Sequence, residues 1–284
     1  MFKKTALLAL ACMASALTAA SAHAFTIQSG DYKMTIDGYA NFSTYSADCT
    51  GAACDGAAQI AAAKGATGSE DAWGIFSIAS IVNTVTNSQY FTRGSDGYIV
   101  GALTGVTNFS VDRGAIPGFP NSQRSYATGG TFNFYTSGSN YDPSLSSLNQ
   151  ANVISSVTNL PLWLSLDFIA GVGTDANGSL ATYNSFSLNT NDGTGSGSGY
   201  LKVTGGAAQI AFGTGTMTTA TGVSADASFD MTFGKPTSGD VAKGNWDFRT
   251  SSDIAGYSVP EPGSMALAGL GLIGLAALRR RTRA

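Results

Sequence analysis

Between Tyr32 and Ala255 the apolar residues return in short runs broken by glycine, and this rhythm constrains the fold more than any other feature. In Tyr32–Tyr45, Met34, Ile36, Ala40 and Phe42 share one parity while Lys33, Thr35, Asp37 and Asn41 share the other. That is the period of a half-buried strand, with a bend at Gly38. Trp73–Asn83, Tyr98–Val106, Asn108–Val111 and Thr131–Thr136 continue the series, and Leu162–Val172 is apolar enough for a central strand. Tyr183–Leu188, Gly199–Gly205, Ala208–Gly213, Ala225–Phe233 and Asn245–Ala255 read as the last strands. Asp142 and Pro143 fit an N-cap and first helical position, predicting a helix over Ser144–Val157 with Leu145, Leu148 and Val153 inward. Asp112–Gly130 and the tract Asn191–Gly199 (NDGTGSGSG) read as loops. Many short strands without a strand–helix–strand alternation point to an antiparallel sandwich, jelly roll or barrel. The expectation is an all-β, antiparallel sandwich or jelly-roll-like domain.

The two ends of the chain carry signals rather than fold. Lys3 and Lys4, the apolar stretch Thr5–Leu17 and the triplet Ala22-His23-Ala24 read as a secretory signal peptide cut after Ala24. Cys12 lies inside the apolar run, ahead of that site, and does not make a lipoprotein signal. At the other end Val259, Pro260, Glu261 and Pro262 form a stiff segment, since two prolines fix φ and remove two backbone donors. An uncharged stretch, Gly263–Leu278, follows and reaches about 24 Å as a helix, short of a hydrocarbon core of about 30 Å. Arg279, Arg280, Arg281 and Arg283 then form a membrane stop that holds this end cytoplasmic.

Val-Pro-Glu-Pro, a short Gly/Ala/Leu helix and a terminal arginine cluster together resemble the PEP-CTERM sorting signal of exported Gram-negative proteins. The resemblance implies recognition and cleavage by an exosortase, a membrane-embedded cysteine transpeptidase. It also implies association with exopolysaccharide, biofilm or floc. The chain then divides into a signal peptide (1–24), an exported β domain (25–257) and a sorting signal with a transmembrane helix (258–284). Its partners would be the general secretion machinery, signal peptidase, the exosortase and exopolysaccharide. An inner-membrane-anchored precursor would become a non-catalytic protein of the cell surface or matrix. A surface-tethered carbohydrate-binding or two-carboxylate enzyme is the alternative, and a permanently anchored domain a third.

The body between the signals narrows the chemistry further. Residues 25–259 hold 17 acidic and 9 basic residues, a balance of −8 that does not suit nucleic acid. The chain contains 36 Gly and only 12% charged residues, yet the apolar and aromatic runs distinguish it from a disordered chain. Cys49 and Cys54, with four residues between them in an exported chain, predict a local disulfide. The one histidine, His23, falls in the signal peptide, so Ser-His-Asp and Cys-His machinery and histidine metal sites have no residue to use. No metal or cofactor is expected: Asp175–Gly178 and Asn191–Gly193 place oxygen ligands beside glycine but read as Asx-turns. Two-carboxylate glycoside chemistry stays open, with Asp112, Asp142 and Asp167 as the groups to inspect. Trp73, Trp163 and Trp246 sit in apolar surroundings and read as core more than as sugar-stacking platforms.

Overall fold

The structure, a computed structural model, describes residues 27, 29–42, 63–67, 70–113, 116–119, 121–174, 180–189 and 193–259. The predicted signal peptide, Cys49 and Cys54 of the predicted disulfide, and Pro260 onward lie outside them. Strand β1 (Gly30–Phe42) keeps the parity of its sequence, with Tyr32, Met34, Ile36 and Ala40 buried on one face. It pairs antiparallel along its length with β2 (Ala72–Asn83), which the short β3 (Gln89–Thr92) extends at one end. The chain then runs through β4 (Tyr98–Arg113), β5 (Gln123–Ser137), β6 (Leu162–Ile169), β7 (Tyr183–Asn189) and β8 (Thr194–Gly205). A two-strand hairpin, β9 (Met217–Thr218) and β10 (Ser224–Ala225), precedes β11 (Ala227–Gly234) and β12 (Phe248–Ser258).

The sequence expectation of a sandwich or jelly roll is corrected here. β12 pairs with β11 on one side and with β1 on the other, so the meander closes into an antiparallel barrel of eight strand positions. Closure removes the open edges that the two sheets of a sandwich would have to protect. One position is shared. Thr131–Tyr135 of β5 pair with β6 and Gln123–Ala127 with β7, so these two strands lie end to end, the chain leaving the wall after Ile169 and rejoining it at Tyr183. β5 bends where this happens: Gly129 and Gly130 have φ of 70° and 100°, facing Gly105 at 76° on β4. Only glycine takes such angles without strain, and the local kink lets two long strands curve around the barrel.

Side chains fill the interior. Phe132 sits at its centre, with ring centroids 5.2 Å from Phe76, 5.3 Å from Phe229, 5.5 Å from Phe168 and 5.7 Å from Phe134. The void beside them, bounded by Phe42, Leu103, Phe168 and Phe229 among others, measures about 10 Å³ and is apolar, too small and too dry for a ligand. A second cluster lies outside the wall, where helix α1 (Gln150–Thr158) places Val153 and Val157 over Tyr39, Trp73, Ile75 and Val100. Trp246 closes it, with its ring centroid 5.0 Å from that of Trp73. All three tryptophans are buried.

Four local expectations change. The helix starts at Asn149, whose side chain accepts from the Asn152 amide, while Asp142 instead accepts from Ser144 in a turn. Of the residues expected inward, Val153 is buried and Leu148 is exposed. Ala208–Gly213 is not a strand but the single turn α2 (Gln209–Phe212). Asp112–Gly130 is mostly strand, because β4 runs on to Arg113 and β5 begins at Gln123. The tract Asn191–Gly199 becomes β8 from Thr194 onward.

Candidate functional site

Two places on this barrel carry chemistry, one at the end of β12 and one on its outer wall. β12 closes the barrel up to its last residue. Ser258 is fully buried and its hydroxyl donates to the Gly30 carbonyl at 3.2 Å. The Val259 amide donates to the Ala211 carbonyl of α2 at 2.8 Å. Pro260, Glu261 and Pro262 follow immediately in sequence, so nothing resembling a linker separates the strand from the prolines.

Residues 258–281 match the PEP-CTERM protein-sorting motif. The PEP-CTERM motif therefore begins on the closing strand itself, and it implies an exported, membrane-anchored precursor processed by an exosortase. Neither a curated protein nor a solved structure matches the chain. Of the motif's residues only Ser258 and Val259 are described; Arg279, Arg280, Arg281 and Arg283, like Ala22 and Ala24 of the predicted signal cleavage site, lie outside the described residues. Among the described residues no helix is long and apolar enough to cross a membrane, and no group of three or more His, Cys, Asp or Glu could hold a metal ion.

The three carboxylates singled out from the sequence do not converge. Asp112 pairs in register with Arg124 of β5, whereas Asp167 pairs with Thr131, seven residues further along. At about 3.3 Å per residue that separates them by roughly 23 Å. Asp167 is half-buried and accepts from the Thr131 hydroxyl at 2.7 Å, opposite Lys202. Asp142 lies beyond the far end of β5; the Ser144 hydroxyl and then the Ser144 amide hold its carboxyl below the usual range. The buried Asp226 has a structural task, accepting from the amides of Val203 at 2.8 Å and Gly215 at 2.5 Å.

The second place is a groove of about 340 Å³ across the outer faces of β7, β8, β11 and β12. Its origin is the Gly/Ser tract. On β8, Gly195, Gly197 and Gly199 face the interior, where a side chain would strike the rings of Phe233, Tyr183 and Phe168. Ser196 and Ser198 therefore face outward. The register continues Ser198 to Asp230 of β11 and Asp253 of β12, and Ser196 to Thr232 and Ser251. Small hydroxyl residues thus form a floor, and Phe186 and Asn184 of β7 form one side.

The two carboxylates in the groove differ. Asp253 forms an ion pair with Lys33 at 2.8 Å and accepts from the Thr35 hydroxyl at 3.1 Å. Asp230 is exposed and has neither a hydrogen bond nor an ion pair among the described residues. Ser198 donates to Asn184 at 2.7 Å, which in turn donates to the Val172 carbonyl at 3.2 Å. Hydropathy does not reveal this wall. The strict Gly-Ser alternation in TGSGSGY was the available sign, since period two belongs to strands whatever the residues.

Proposed function

We propose that the chain is a non-catalytic protein of the cell surface or extracellular matrix, associated with exopolysaccharide. Residues 1–24 serve as its signal peptide, read by the general secretion machinery and signal peptidase. The sorting signal then hands the folded barrel to an exosortase, which cuts near Pro260–Pro262. The observation that carries this reading is the PEP-CTERM match beginning on the closing strand. A sorting enzyme acting there removes nothing that the barrel needs. The filled interior and the wide spacing of Asp112 and Asp167 support a binding or structural role over catalysis.

The test is mass spectrometry of the C-terminal peptide of the protein recovered from the surface or matrix fraction of its native cell. A chain ending near Pro260–Pro262, without Arg283, is the expected result, and any added mass identifies what was joined to it. Recovery of Arg283 in the mature protein would replace sorting with permanent anchoring.

A further inference from the structure

We infer that the outer groove on β7, β8, β11 and β12 binds a short segment of a neutral saccharide. On one side the outer wall is covered. α1 and Trp246 cover the faces of β1, β2 and β4 with apolar contacts. Over the groove no described residue does so, and the outward side chains are short and hydroxylated. At about 340 Å³ the groove lies at the small end of ligand sites and fits a few sugar rings rather than a protein surface.

The chemistry of the floor selects the ligand. Ser196 and Ser251 bring hydroxyl groups that both donate and accept, matching the dual character of sugar hydroxyls, while Ser198 and Thr232, whose protons go to Asn184 and to the Ser251 carbonyl, can still accept. Asp230 is an acceptor with no protein donor assigned to it, placed to receive two neighbouring hydroxyls of one ring. Hydrogen bonds to a charged acceptor are the stronger kind, which offsets the water that an exposed carboxylate gives up on meeting such a donor pair. Phe186, half-buried at the side, offers the apolar surface on which the C–H face of a sugar packs.

Charge sets the limit. Asp230 and Asp253 stand directly opposite in the β11–β12 register, an arrangement of like charges that costs a sheet stability and contributes nothing to packing. Lys33 is engaged by Asp253, and among the described residues that line the groove there is no Lys or Arg to answer an anionic ligand. A uronate, sulfate or phosphate would meet Asp230 unshielded. A neutral, polyhydroxylated chain satisfies the same carboxylate without that penalty.

This inference takes its setting from the surface-protein reading above, but its test is independent of sorting. Full-length protein in detergent is titrated calorimetrically with short neutral oligosaccharides of glucose, galactose, mannose and N-acetylglucosamine, with an oligogalacturonate, and with calcium chloride alone. Saturable binding of at least one neutral oligosaccharide is expected. Asp230→Asn and Phe186→Ala should each weaken it by about tenfold or more, while Asp31→Asn, at the start of β1, leaves it unchanged. The inference is overturned if no neutral oligosaccharide binds, if both groove variants bind as the parent does, or if the oligogalacturonate binds as tightly. Calcium that saturates the site and competes with sugar would also overturn it, in favour of a cation site. The same variants expressed in the native cell separate the two proposals. Sugar binding without C-terminal processing removes the sorting reading and keeps the groove, and processing without sugar binding does the reverse.

Discussion

Replacing Gly197 with alanine tests the placement of the whole Gly/Ser tract. A Cβ at this position would lie 2.0 Å from the Tyr183 hydroxyl oxygen, 2.6 Å from Cζ and 2.8 Å from Cε2. Tyr183 cannot retreat easily: its ring packs against Phe168 and Phe229, and the nearby void is only about 10 Å³. Overpacking a filled core costs about 1–3 kcal/mol, and the gain from replacing a strand glycine returns about 0.5–1 kcal/mol. The net loss is about 1–2 kcal/mol, which for a domain of this size lowers Tm by roughly 2–8 °C. Thermal unfolding followed by circular dichroism reads it directly. Tyr183→Phe removes the nearest atom, so the double variant should recover part of the loss, with a coupling of about 0.5 kcal/mol or more. Gly138→Ala is the control, because a Cβ there meets nothing within 4 Å, and it should stay within about 0.5 kcal/mol of the parent. If Gly197→Ala melts with Gly138→Ala, the tract does not hold its glycines inward and the groove loses its floor.

Three other outcomes follow from particular contacts. A chain ending at Pro260 should unfold within about 2 °C of the full-length protein in a differential scan, since β12 and the Val259 bond to Ala211 are both retained. Asn149→Ala removes the N-cap of α1 and should cost about 1 kcal/mol in urea titration, with a red shift in tryptophan emission as the cover over Trp73 loosens. Alkali should weaken the fold: burial, and then the hydrogen bond to Asp240, push the Tyr39 phenol up to about 12 from 10.0, and burial raises Tyr32, Tyr141 and Tyr183 as well. The native state favours the protonated phenols, so Tyr39's contribution is complete below pH 10 and is lost as pH rises through about 12, with the other three lost at higher pH still, which urea midpoints from pH 10 upward would register.

Strands whose faces differ in hydropathy were legible. β1 and β2 match Tyr32–Tyr45 and Trp73–Asn83 closely, because Met34 and Ile36 contrast with Lys33 and Asp37. Gly199–Gly205 of β8 was legible, but its first part, Thr194–Ser198, was hidden because its two faces differ in volume instead: the hydrophobic mass inside it comes from Phe168, Tyr183 and Phe233 of other strands. Start signals for α1 competed. Asp142 followed by proline looks like a cap, yet its carboxylate is consumed locally by Ser144, and Asn149 begins the helix. The sorting motif was legible since it is contiguous. The groove was not, because Phe186, Ser198, Asp230 and Asp253 meet only through registers that no local pattern encodes.

The seam between β1 and β12 has a consequence in time. Eleven residue pairs join the first strand to the last, across more than two hundred positions of chain. A protein exported amino-terminus first holds β1 in place while β12 has yet to emerge, and pairing over such a separation is slow. During that wait β1 and β11 each present a row of unsatisfied amides and carbonyls, ready to join a neighbouring copy. A membrane-held tail keeps the missing strand beside its gap and keeps copies apart. Cleavage before the seam closes would release an open sheet with two adhesive edges; cleavage afterwards releases a barrel with none.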